Sequence, residues 1–313
     1  MVARYLLLLI SLTVLGQSMC PEQRPDFRGI DSSGTVMVTA YNTQRLILAT
    51  DSRNTKKNGY EDGVCKILVL DRKTVFVGSA WVSHKKGKVV YWQAYKDAVG
   101  AFDNSKRYGS TTRLKNAAIA WGQKSVKAVN QALVSDPVDS RAKLDHNVFY
   151  NGLFMGFTDG VAEMYEVEIT YDPATKKANK HLDAYDMGQK LVFGAGGWNE
   201  TVLEVLAGKT EFAISEAARF QTDVYTHHYT EHDGPPHWAI RLAELSEQYG
   251  PHKNQVGGPI DALEITSQGI NWIQCESSCQ CSDGPQKIPE ADSRPLVPFR
   301  LRSNNRWNAH HAG

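Results

Sequence analysis

The sequence predicts an α+β fold. Its strand-like and helix-like runs fall into separate blocks, ordered strands, helices, strands, helices, strands, and segregation of this kind argues for antiparallel sheets packed against helices. The four residues Asn42-Thr43-Gln44-Arg45 divide the first two apolar runs, a gap short enough for a hairpin. The 313 residues are 42% hydrophobic and 22% charged, which suffices for an ordinary globular core in one large domain or two small ones.

Met1 to Cys20 opens with one Arg, carries an apolar run from Tyr5 to Leu15 and turns small and polar at Gly16-Gln17-Ser18. That is the pattern of a secretory signal peptide over residues 1–18, too short for a membrane span. Met19 is bulky where a lipoprotein cleavage site before Cys20 would want a small residue. Residues 19–34, with Pro21 and Pro25, read as a propeptide or spacer. Strands are expected at residues 35–41, 46–51, 65–70 and 74–79, with a Lys/Asn/Gly-rich turn near 55–59. A helix is expected from Val89 to Phe102. A second runs from Thr111 to Val134, where Leu114, Ala118, Trp121, Val126, Val129 and Leu133 recur at helical spacing. Strands return at 148–157, 162–171 and 190–195. Helices follow at 199–206, 210–225 and Trp238 to Tyr249, the last with Pro235-Pro236 marking its start. Strands at 261–266 and 270–275 close a domain of residues 35–275. Residues 276–313 contain cysteines, then turn Pro/Ser/Arg/Asn-rich without periodicity, and read as a disordered tail.

The chemistry concentrates at the first hairpin. A turn centred on Thr43 sets Thr35 opposite Asp51, and a third strand brings Lys66 beside them. A hydroxyl, a carboxylate and an ammonium then meet at a strand end. Thr35 has no histidine near it in sequence, but a threonine that is itself the N-terminus uses its own α-amine as base. Lys66 would depress the pKa of that amine, and Asp51 would hold Lys66 charged.

The stretch that carries Gly34-Thr35, Asp51-Ser52-Arg53 and Lys66 resembles the start of proteasome β-type subunits, members of the N-terminal-nucleophile hydrolases. The resemblance runs from Gly34 to Ile273. It continues at Val192-Phe193-Gly194-Ala195-Gly196-Gly197 and at Gly257-Gly258-Pro259 with the strand behind them. It implies a four-layer αββα sandwich, autolysis between Gly34 and Thr35, and Thr35, Asp51 and Lys66 as catalytic residues supported by Arg53. It also implies a peptide or amide substrate, room for a homo-oligomer, and no cofactor or metal. This chain departs from the family pattern at Ala195, Lys253 and Val256, where the resemblance would place Ser, Asp and Ser. The family's oxyanion-binding glycine aligns near Ala80 or Trp81. The implied function is a secreted, proteasome-like hydrolase, and the departures make a catalytically degenerate protein that acts by binding or assembly the alternative.

A formal net charge of +1 provides no electrostatic footprint for nucleic acid or an anionic membrane. Cys275, Cys279 and Cys281 cluster behind the last strand, where Cys275 is expected to pair with Cys279 or Cys281. Asn199-Glu200-Thr201 is a glycosylation sequon. His228 and His232 stand four apart and would share a helical face, a spacing that suits a metal, but Gly234-Pro235-Pro236 follows closely and favours a solvated loop. The Gly-Ala-Gly-Gly of residues 194–197 lacks the Lys-Ser/Thr of a phosphate loop.

Overall fold

The computed structural model describes residues 34–56, 59–207, 215–220, 234–275, 277 and 279. The signal and propeptide segments, the histidines at 227, 228 and 232, and most of the tail lie outside them. Two five-stranded antiparallel sheets form the frame. The first has the order β12-β1-β2-β13-β14, with β1 (Val36–Tyr41), β2 (Arg45–Asp51), β12 (Val192–Gly197), β13 (Ile260–Thr266) and β14 (Gly269–Gln274). The second has the order β11-β10-β9-β6-β5, with β5 (Ile67–Asp71), β6 (Thr74–Ala80), β9 (Val148–Thr158), β10 (Val161–Asp172) and β11 (Lys177–Ala184). Two short hairpins add β3 (Asn54–Lys56) with β4 (Gly59–Glu61) and β7 (Ser83–Lys86) with β8 (Val89–Gln93). Six helices are present among the described residues: α1 (Ala94–Ser105), α2 (Arg113–Ser135), α3 (Pro137–Arg141), α4 (Glu200–Ala207), α5 (residues 215–220) and α6 (Pro235–Tyr249). None of the helices is long and apolar enough to cross a membrane.

Three cores hold these elements. Met37, Leu46, Leu48 and Leu263 of the first sheet cluster with Ile67, Val75, Val77 and Leu153 of the second. The alternate residues Val36, Val38, Ala40, Ile47 and Ala49 turn the other way and pack with Val202, Phe220, Trp238 and Leu242 from α4, α5 and α6. Phe76, Phe154 and Val167 of the second sheet pack with Phe102 of α1 and with Leu114, Trp121 and Val129 of α2. β1 is therefore buried on both faces, which is why its sequence reads as a nearly continuous apolar run.

Several sequence expectations need correction. The first hairpin is shifted by one residue: Met37 pairs with Thr50, so the residue that faces Asp51 across β1 is Val36, not Thr35. The cause is the turn. Asn42 Oδ1 accepts from the backbone N–H groups of Gln44 and Arg45 at 2.9 and 3.0 Å, which centres the turn between Thr43 and Gln44. Residues 89–93 are strand rather than helix, because Val-Val-Tyr-Trp pairs with β7, and α1 starts only at Ala94. Pro235 and Pro236 lie within the first turn of α6. Cys279 pairs with Cys65, not with Cys275, and Cys275 is itself disulfide-bonded. The sequon is closed, since Asn199 is buried and donates its side-chain N–H to the Ala195 carbonyl at 3.1 Å.

Candidate active site

Thr35 sits at the residue before β1, Asp51 is the last residue of β2, and Lys66 immediately precedes β5. All three are fully buried. The shift in the hairpin does not separate them. It lets the Val36 N–H donate to Asp51 Oδ1 at 3.0 Å. Asp51 Oδ2 accepts from Lys66 Nζ at 3.0 Å, from the Gly257 N–H at 3.2 Å and from the Arg53 N–H at 3.3 Å. Lys66 Nζ donates a second hydrogen bond, at 2.8 Å, to the carbonyl oxygen of Gly34. The Thr35 hydroxyl donates to that same oxygen at 2.7 Å.

Burial works against the charged form of each member of the pair. It pushes the Lys66 ammonium below its ordinary pKa, with the charge of Asp51 opposing. It pushes the Asp51 carboxyl above its ordinary value, with Lys66 and the N–H groups of Gly257 and Val36 opposing. The Asp51 charge offsets part of that burial, so Lys66 holds its proton less tightly than a lysine in water while remaining paired with the carboxylate. Lys66 is fixed from behind as well, because the Tyr95 hydroxyl of α1 donates to its carbonyl at 2.9 Å.

Arg53 acts one step away from Thr35. Its guanidinium forks onto the Asp62 carboxylate at 2.7 and 3.0 Å, lies 4.0 Å over the Tyr60 ring and reaches the Val256 carbonyl at 3.3 Å. It thereby ties the β3–β4 hairpin to the loop that presents Gly257 to Asp51.

Two glycines are required by the space around Thr35. A Cβ on Gly34 would stand 2.5 Å from the Gln255 carbonyl oxygen. A Cβ on Gly197, whose φ is +69°, would stand 1.8 Å from the Thr35 carbonyl oxygen. The strand β12 thus approaches Thr35 through Gly197. Ala195 pairs with Val38, two residues further along β1, and packs against the helix-side core. Val256 is buried in that same core, and the Lys253 carbonyl accepts from Arg53 at 3.4 Å.

Ala80 and Trp81 are now distinguishable. The Trp81 N–H donates to the Phe149 carbonyl at 3.3 Å. In an alternating antiparallel ladder the neighbouring Ala80–Tyr150 pair is then the non-hydrogen-bonded one. The β5 ladder begins at Ile67, opposite Val77, and stops short of Ala80 on the other side. Ala80 also holds a left-handed φ of 62°, a conformation rare for any residue with a Cβ.

Sequence reasoning missed Tyr95 and the group Trp198, Glu200 and His252, while Gly197 stood within the resembling stretch of residues 192–197. The Trp198 N–H donates to the Thr35 carbonyl at 3.0 Å, and the His252 ring stacks on the Trp198 ring at 3.6 Å. No local signal marks a histidine fifty-four residues from its stacking partner. Cys65, Asp261 and Cys279 bring three potential ligand atoms within 4.8 Å, but the two sulfurs are joined as a disulfide. No family model matches the chain, and none of the curated proteins matches it.

Proposed function

We propose that this chain is an exported, divergent N-terminal-nucleophile hydrolase of the proteasome β type, with Thr35 as nucleophile once the Gly34–Thr35 bond is cut. In this reading the two facing sheets and their flanking helices are the four-layer αββα sandwich of that superfamily. The carrying observation is the Gly34 carbonyl oxygen, which receives Lys66 Nζ at 2.8 Å and the Thr35 hydroxyl at 2.7 Å. The ammonium draws electron density from the carbonyl and would stabilise the oxyanion formed when Thr35 Oγ1 attacks the Gly34 carbon. The C–N bond then breaks, the hydroxyl proton passes to the Thr35 nitrogen, and the resulting ester is hydrolysed by water. The freed α-amine becomes the base for the same hydroxyl, now directed at a peptide or amide substrate. In this reading Ala80 is the oxyanion donor rather than Trp81, whose N–H is already taken by the Phe149 carbonyl.

One observation favours the alternative, a degenerate protein that acts by binding. Ala195 and Val256 carry no hydroxyl, and both pack into the helix-side core, so neither can relay a proton to Thr35. A single experiment separates the two readings. The intact mass of the exported protein should correspond to a chain that begins at Thr35, and Thr35→Ala should leave the leader attached and abolish amide hydrolysis. A mature chain that retains Gly34, together with hydrolysis undiminished in Thr35→Ala, refutes the hydrolase reading.

A further inference from the structure

The loop of residues 250–257 supplies much of the frame around Thr35. Its Gly257 N–H binds Asp51, its Gln255 carbonyl limits the space beside Gly34, and its Val256 carbonyl binds Arg53. Among the described residues no strand pairs with this loop, and side-chain contacts hold it instead. The loop is anchored on the start of α4 at two points. At the first, Gly250 passes so close to Thr201 that a Cβ would stand 3.0 Å from the hydroxyl oxygen. At the second, His252 lays its ring on Trp198 with 25° between the planes and points Nε2 at Glu200 Oε1, 3.5 Å away. The His252 carbonyl then accepts the N–H groups of Gln255 and Val256 at 2.7 and 3.0 Å, which carries the anchor into the turn beside Gly34.

We infer that His252 is a positioning residue for the self-cleavage at Thr35, and that its stack on Trp198 clasps the 250–257 loop to β12 and α4. This rests on the reading of Thr35 as a self-cleaving nucleophile. Trp198 is the junction: its ring carries the histidine while its N–H holds the Thr35 carbonyl. The stack is the principal contact. The Glu200 pair joins two partly exposed groups at 3.5 Å, a geometry that contributes little by itself.

The test uses the full chain and two variants, His252→Ala and His252→Phe. In His252→Ala the rate at which the Thr35 N-terminus appears should fall by about threefold to tenfold, the factor that loss of one aromatic contact implies. Hydrogen exchange at the Gly257 amide should accelerate by a similar factor, while exchange in β1 and β2 stays as in the parent chain. His252→Phe keeps a ring on Trp198 and should restore both readouts. Unchanged cleavage and exchange in His252→Ala, no rescue by His252→Phe, or a uniform rise of exchange through both sheets would each overturn the clasp. If the parent chain never cleaves at Thr35, the hydrolase reading fails on its own, and Gly257 exchange still judges the clasp.

Discussion

At Thr35 the backbone leaves no tolerance for an added methyl group. Gly197→Ala would drive a Cβ to 1.8 Å from the Thr35 carbonyl oxygen at a positive φ, so β12 would have to withdraw from β1. We expect a loss of about 3 kcal/mol in urea unfolding and, on the hydrolase reading, loss of self-cleavage. Lys66→Ala tests the ion pair. It leaves the Asp51 carboxylate fully buried without its counter-charge and should cost about 3–5 kcal/mol by the same measurement. A cost below about 1 kcal/mol would mean that water or another cation takes the place of Lys66. Gly34, Asp51 and Lys66 were legible in the sequence because strands β1, β2 and β5 follow one another closely and carry them to one end. His252 and Trp198 were not, because only the packing of α6 and α4 on the first sheet makes them neighbours.

Among the elements, the first hairpin shows what a strand pattern can and cannot specify. The apolar runs of β1 and β2 locate both strands to within a residue, but the register depends on the Asn42 side chain, which two backbone N–H groups share. Asn42→Ala should cost about 1–2 kcal/mol, because it strips both hydrogen bonds from a buried turn. Equilibrium unfolding of that variant would settle it, with an unchanged midpoint counting against the turn as the register device. The edge strand β11 was missed altogether. Its sequence, Lys-Ala-Asn-Lys-His-Leu-Asp-Ala, buries only Ala178 and so shows no apolar alternation. The boundary between β8 and α1 is not legible for a different reason: Val89 and Val90 are exposed, so the strand shows no buried alternation before the helix begins at Ala94.

On the scale of the whole molecule, two half-buried carboxyls make stability depend on pH. Burial pushes Glu247 up to about 8, and the nearby Asp51 adds to the shift. Burial and Glu166 push Glu168 up to about 7. Below those values each is held as the protonated acid in the folded chain, whereas the unfolded chain ionises near the ordinary value of about 4.3. The native state therefore binds more protons between about pH 4.3 and 8, and stability must fall as pH rises through that window. Urea midpoints at pH 5 and pH 8 should show the decline, and Glu247→Gln should flatten it. An equal slope in that variant would assign the effect elsewhere. The Cys65–Cys279 bond works at the same scale, since it joins residues 214 apart in sequence. On the chain-entropy account its removal in a Cys65→Ser, Cys279→Ser double variant costs up to about 5 kcal/mol. The bond also makes the chain from Cys65 to Cys279 a covalent ring, with Gly34–Thr35 and strands β1 to β4 lying outside it. A protease that nicks the backbone anywhere between Cys65 and Cys279 leaves one molecule, which divides on a denaturing gel only after reduction. On the hydrolase reading, the cut before Thr35 lies outside that ring, so it leaves the Cys65–Cys279 loop unbroken, unlike a nick within it.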